Sequence, residues 1–166
     1  MKEQTPIFVL SSGRTGSTLL ARMINRHDRL LCVSDLFEPV GEVPYFDQEK
    51  IVDGREFFRV LRSPSYKQRI KYWREQLTTE FLCLHEDDNM VSLLLSYTLA
   101  FLMDGNPMNL FHQLNEVIKN WEKDSMANHT IRFFDWLRDK FGKELWVERT
   151  GGTLPHTRKI VETWPA

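Results

Sequence analysis

The chain has 166 residues, 42 % hydrophobic and 27 % charged, with a formal net charge of -1, which suits a single domain over residues 1–166 with a core of its own. A near-neutral chain has no global attraction for a polyanion, so sequence-independent nucleic-acid binding is disfavoured as its main task. The longest oily run, Val91 to Met103, is broken by Ser92, Ser96 and Thr98 and is too short to span a bilayer, and no signal-peptide pattern precedes the first apolar segment; the expectation is a cytoplasmic protein without a membrane partner.

Ile7-Phe8-Val9-Leu10 is a short apolar run of strand formers followed at once by the small, glycine-punctuated stretch Ser11 to Ser17, a strand entering a tight loop. From Thr18 the apolar residues Leu19, Leu20, Met23 and Ile24 recur at helical spacing, predicting a helix that ends near His27-Asp28. Leu30 to Val33 reads as a second buried strand, opening through Ser34-Asp35 into Leu36-Phe37-Glu38-Pro39, where proline blocks regular pairing.

Beyond it the chain turns helical, with segments predicted near Arg55 to Leu61, Tyr66 to Leu77, Met90 to Met103, Met108 to Trp121 and Ala127 to Phe141. A third strand, Leu145 to Glu148, then precedes Arg149-Thr150-Gly151-Gly152 and a last helix from Leu154 to Thr163. Strands separated by helices imply an α/β fold with parallel pairing, here with a largely helical middle insertion, and ligands in such sheets gather at the carboxyl ends of the strands.

The loop Ser11-Ser12-Gly13-Arg14-Thr15-Gly16-Ser17-Thr18 has the composition of an anion nest. Glycines let successive N–H groups face one point, the following helix aims its positive end there, and Arg14 adds a permanent planar charge. Set against the G-x-x-x-x-G-K-[ST] pattern of nucleotide hydrolases, Ser11 stands where the first glycine belongs and Ser17 where the lysine belongs. A P-loop nucleotide kinase or NTPase is therefore the remote alternative.

Pro6 to Asn25, PIFVLSSGRTGSTLLARMIN, resembles the 5′-phosphosulfate loop of sulfotransferases, P-[RK]-[ST]-G-[ST]-[ST], with Gly13 in place of the proline. Trp146-Val147-Glu148-Arg149-Thr150 is similar, more loosely, to a W-[VL]-[ED]-[KR]-[ST] segment of bacterial and tyrosylprotein-type members. The resemblance covers about forty residues. It implies a P-loop-type parallel sheet and a co-substrate, 3′-phosphoadenosine 5′-phosphosulfate, bound by Ser12, Gly13, Arg14, Thr15, Gly16, Ser17 and Thr18 without a metal.

It implies further that Arg14 stabilises the leaving phosphosulfate and that Glu38, in the loop after the second strand, is the base that deprotonates an acceptor hydroxyl or amine on a small molecule, carbohydrate or peptide. Asp35 is the rival base. Family members continue with a further strand and a loop for the 3′-phosphate, so the resemblance implies an N-terminal portion, incomplete at its C-terminus, with an open sheet edge beside Ile7 to Leu10 available for homo-oligomer pairing. The alternative is a non-catalytic anion- or nucleotide-binding module, or an inactive fragment.

Other features have plainer readings. Cys32 and Cys83 lie in apolar stretches and read as packing residues. His85-Glu86-Asp87-Asp88 lacks a second histidine at helical spacing and reads as a polar turn, not a metal site, and the basic run Arg55, Arg59, Arg62, Lys67, Arg69, Lys71 and Arg74 reads as a solvated face. Glu148-Arg149-Thr150 is read as strand-end polar residues, with Thr150 or Thr153 capping the last helix, and no catalysis is assigned there.

Overall fold

The computed structural model describes residues 6–12, 15–37, 44–62, 94–103 and 107–165. They belong to two compact units, one drawn from residues 1–51 and 124–166, the other from 52–123. No helix among the described residues is long and apolar enough to cross a membrane.

In chain order the first unit runs β1 (Ile7–Phe8), α1 (Ser17–Asn25), β2 (Leu30–Ser34) and a 3-10 turn at Pro44–Phe46, and leaves through β3, which begins at Ile51. It resumes at β4 (Asp124–Ser125), followed by α4 (Met126–Lys140), β5 (Leu145–Arg149), a 3-10 turn at Leu154–His156 and α5 (Thr157–Thr163). The fold of this unit is mixed α/β, with a three-stranded parallel sheet in the order β1-β5-β2 flanked by helices. β5 therefore lies between the two earlier strands, pairing Ile7 with Val147 on one side and Leu30 to Ser34 with Leu145 to Arg149 on the other.

A central parallel strand is covered on both faces, and β5 is buried from Trp146 to Arg149. On one face Trp146 meets Phe134 of α4 with ring centroids 4.6 Å apart, and Phe8, Phe37 and Trp164 stack beside it at 5.2 to 6.3 Å. On the other face lies α1. Ser125 caps α4 by accepting from Asn128 N–H at 3.1 Å, and the helix buries Met126, Ala127, Phe133, Phe134 and Leu137 at helical spacing.

The second unit contains α2 (Gly54–Leu61), a π-helical turn at Leu94–Leu99 continuing to Leu102, and α3 (Met108–Ile118). Asp53 caps α2 by accepting from Glu56 N–H at 2.9 Å. Phe57 stacks on Trp121 at 5.9 Å and Phe58 meets Phe111 at 5.3 Å. Gly54 N–H donates to Trp121 O at 3.1 Å, an approach so close that a Cβ on Gly54 would stand 1.7 Å from Ile118 O.

The predicted elements recur with shifted ends. β1 stops at Phe8, although Val9 N–H still donates to Glu148 O at 2.8 Å and Ser11 bridges Gly151 further on. The single last helix is instead a 3-10 turn followed by α5, because Pro155 sets the tighter start. The predicted helix at Tyr66 to Leu77 and the start of the one at Met90 lie outside the described residues.

Candidate functional site

Because β1, β5 and β2 are parallel, their carboxyl ends meet at one side of the sheet, and three loops leave from there. The first is the glycine loop. Gly16 lies at φ 80°, a left-handed conformation that favours glycine, and turns the chain into α1, its carbonyl accepting from Leu19 N–H at 2.9 Å. The first turn of α1 holds no acidic residue, so the helix does not offset its own positive end.

The second loop leaves β2 through Asp35, which takes φ 59°. Such a backbone is uncommon outside glycine and is maintained by its surroundings. Asp35 N–H donates to Arg149 O at 3.0 Å, and its carboxylate accepts from Arg149 Nη1 at 2.9 Å. Phe37 N–H then donates to Thr150 Oγ1 at 3.0 Å.

The third loop supplies the residues that tie the other two together. Arg149, 5 % exposed, sends Nη2 to Ser17 Oγ at 2.7 Å and Thr18 Oγ1 at 2.9 Å while Nη1 holds Asp35. Its neighbour Glu148 points to the opposite face of the sheet, fully buried, with Oε1 accepting the Thr150 hydroxyl. Burial pushes the Glu148 carboxyl up to about 8 against the opposing pull of the Thr150 hydrogen bond. Gly152 N–H and Leu154 N–H both donate to Ser11 O, at 3.0 and 3.2 Å, so the end of β1 is fastened to the same loop.

This corrects the reading of Glu148-Arg149-Thr150 as helix-capping residues. Neither 150 nor 153 caps α5 by its side chain: Thr150 links Glu148 to Phe37, and Thr153 Oγ1 donates to Thr150 O at 3.0 Å. The missed residue is Arg149. A signal was present, since a basic residue at the last position of a buried strand must find partners across the sheet end.

Of the residues expected to bind ligand, Ser12, Thr15, Gly16, Ser17 and Thr18 are described, Ser17 buried and the others exposed. Gly13, Arg14 and Glu38 lie outside the described residues, as do Cys83, His85 to Asp88 and the later part of the basic run. Asp35, the rival base, is tied to Arg149. Cys32 is buried, its thiol pushed up to about 12 by desolvation, which suits a packing role. Among the described residues no group of three or more His, Cys, Asp or Glu is placed to hold a metal ion.

Chemically, the arrangement is a donor set. The amides of Ser17 and Thr18 stand ahead of the first hydrogen bond of α1, which Leu19 N–H makes to Gly16 O, and each hydroxyl that accepts from Arg149 keeps its own hydrogen to donate. No protein-family model matches the chain, and no curated protein or solved structure matches it.

Proposed function

We propose that the chain is a sulfotransferase-type domain that binds 3′-phosphoadenosine 5′-phosphosulfate through its 11–18 loop and transfers the sulfuryl group to an acceptor hydroxyl or amine. The observation that carries this reading is the buried Arg149 guanidinium gathering the hydroxyls of Ser17 and Thr18 at the first turn of α1. A permanent charge held against a helix N-terminus, beside a glycine-turned loop, favours an anionic headgroup. Arg149 thereby joins the loop as a positioning residue.

In this reading the loop amides and Arg14 neutralise the phosphosulfate oxygens, where one preorganised donor contributes on the order of 3 kcal/mol to the transition state. Glu38, one residue beyond the anchored Phe37, takes the acceptor's proton. The sheet is of P-loop type. A further strand of such a domain would lie along the outer edge of β1, where Ile7 is 38 % exposed.

A second reading is favoured by the Asp35–Arg149 ion pair, which commits the rival base to Arg149: an anion-binding module without turnover. One experiment addresses both. Adenosine 3′,5′-bisphosphate, the donor's product, should raise the melting temperature, by an amount set by mass action, and Arg14→Ala should remove the effect. Sulfuryl transfer to a panel of acceptors then separates enzyme from module, and no shift in the wild type counts against both.

A further inference from the structure

Arg149 and Asp35 are unequal members of an ion pair. The arginine side chain is 6 % exposed and the aspartate side chain 31 %. A buried cation parted from its partner is left with no water to receive its charge, whereas a part-exposed carboxylate that lets go is hydrated at once. The guanidinium therefore always needs an anion, and the carboxylate is the member that can leave.

The donors of Arg149 are distributed so that Nη1 is the place for an exchange. Nη2 gives its two hydrogens to the hydroxyls of Ser17 and Thr18, at 2.7 and 2.9 Å. Nε is buried and has no hydrogen-bond partner among the described residues. Nη1 meets an acid, Asp35 Oδ1, at 2.9 Å, the one ion-pair partner of Arg149 among the described residues.

The backbone of this segment is pinned without help from that contact. Asp35 N–H donates to Arg149 O at 3.0 Å, and Phe37 N–H donates to Thr150 Oγ1 at 3.0 Å. The φ of 59° at Asp35 is one that aspartate tolerates better than most L-residues. Turning the carboxylate away from Arg149 is thus a change of side-chain rotamer, and the end of β2 can stay where it is.

We propose that Asp35 is an internal competitor for the anion cradle formed by the 11–18 loop and Arg149: its carboxylate holds Nη1 of Arg149, and a phosphate- or sulfate-type oxyanion binds at the start of α1 by taking that nitrogen from it. The proposal rests on the function proposed above and adds a control on the same site. In the exchange Arg149 passes from one anion to another, its planar fork suited to the incoming oxygens, while Asp35 turns to water. The ligand gains only the difference between its own hold on Arg149 and that of the carboxylate, so Asp35 sets the affinity of the site.

The test is isothermal titration of adenosine 3′,5′-bisphosphate into the wild type, Asp35→Asn and Asp28→Asn. Asparagine at 35 keeps the shape of the side chain and can still accept from Nη1, but it brings no negative charge. Asp35→Asn should bind about tenfold more tightly than the wild type, within the usual span of a coupling between two sites. A merely structural role for Asp35 predicts the opposite sign, because a loosened segment would disorder the cradle. Asp28→Asn removes the same charge from an exposed turn beyond α1 and should bind as the wild type does.

Binding by the wild type with equal or weaker affinity in Asp35→Asn, or equal tightening in both variants, would overturn the competitor role and leave the cradle standing. Binding by Asp35→Asn and not by the wild type would support it in its strongest form, and binding by neither would overturn competitor and cradle together. Should Asp35→Asn fail to fold, a crystal structure of the wild type with the bisphosphate decides. A ligand oxygen on Nη1 with Asp35 turned away supports the exchange; Asp35 still on Nη1, or no ligand at the start of α1, refutes it.

Discussion

Gly16 sits at φ 80° where an added Cβ would meet nothing within 4 Å, so its identity is a matter of backbone conformation and not of room. Gly16→Ala should cost about 1–2 kcal/mol, the penalty of a left-handed L-residue, and urea unfolding measures it. Ligand affinity should fall too, because the turn aims the loop at the helix end. Arg149 is the opposite case, a side chain whose partners all come from other elements. The glycine is legible from the sequence because its constraint is local. The arginine is not, because three loop ends have to meet before its role exists.

At the scale of elements, the outer edge of β2 shows how a short helix can finish a sheet. Asn25, the last residue of α1, accepts from Cys32 N–H at 2.6 Å and donates to Cys32 O at 3.0 Å, so one side chain imitates a neighbouring strand. Such an edge would otherwise present unpaired backbone groups. Asn25→Ala should destabilise the protein by about 1–3 kcal/mol, the cost of leaving buried groups unsatisfied, and Asn25→Asp, which keeps the acceptor alone, should fall between; chemical denaturation of the three proteins checks the order. The strands and helices themselves were readable, since apolar runs of Leu30 to Val33 and Leu145 to Val147 and the period of Phe133, Phe134 and Leu137 state their burial directly. Their ends were less so. Pro155 divided the last helix, and the hydrogen bonds of Asn25 have no periodicity to announce them.

For the whole molecule, alternation of strand and helix was enough to give parallel pairing, and with it the gathering of loop ends at one side of the sheet. The order β1-β5-β2 was not stated by any local pattern, because it depends on the late strand inserting between two early ones. That insertion brings Glu148, Arg149 and Thr150 between the glycine loop and the segment after β2, so the assignment of a quiet capping role to them failed for a topological reason. The proposed function requires the 11–18 loop and Arg149 to form an anion cradle. The most direct test is a titration of nitrogen-15-labelled protein with adenosine 3′,5′-bisphosphate. The amides of Thr15 to Leu19 and the Arg149 side-chain signals should shift together and saturate at one stoichiometric equivalent; shifts confined to other parts of the chain, or none at millimolar ligand, would contradict it.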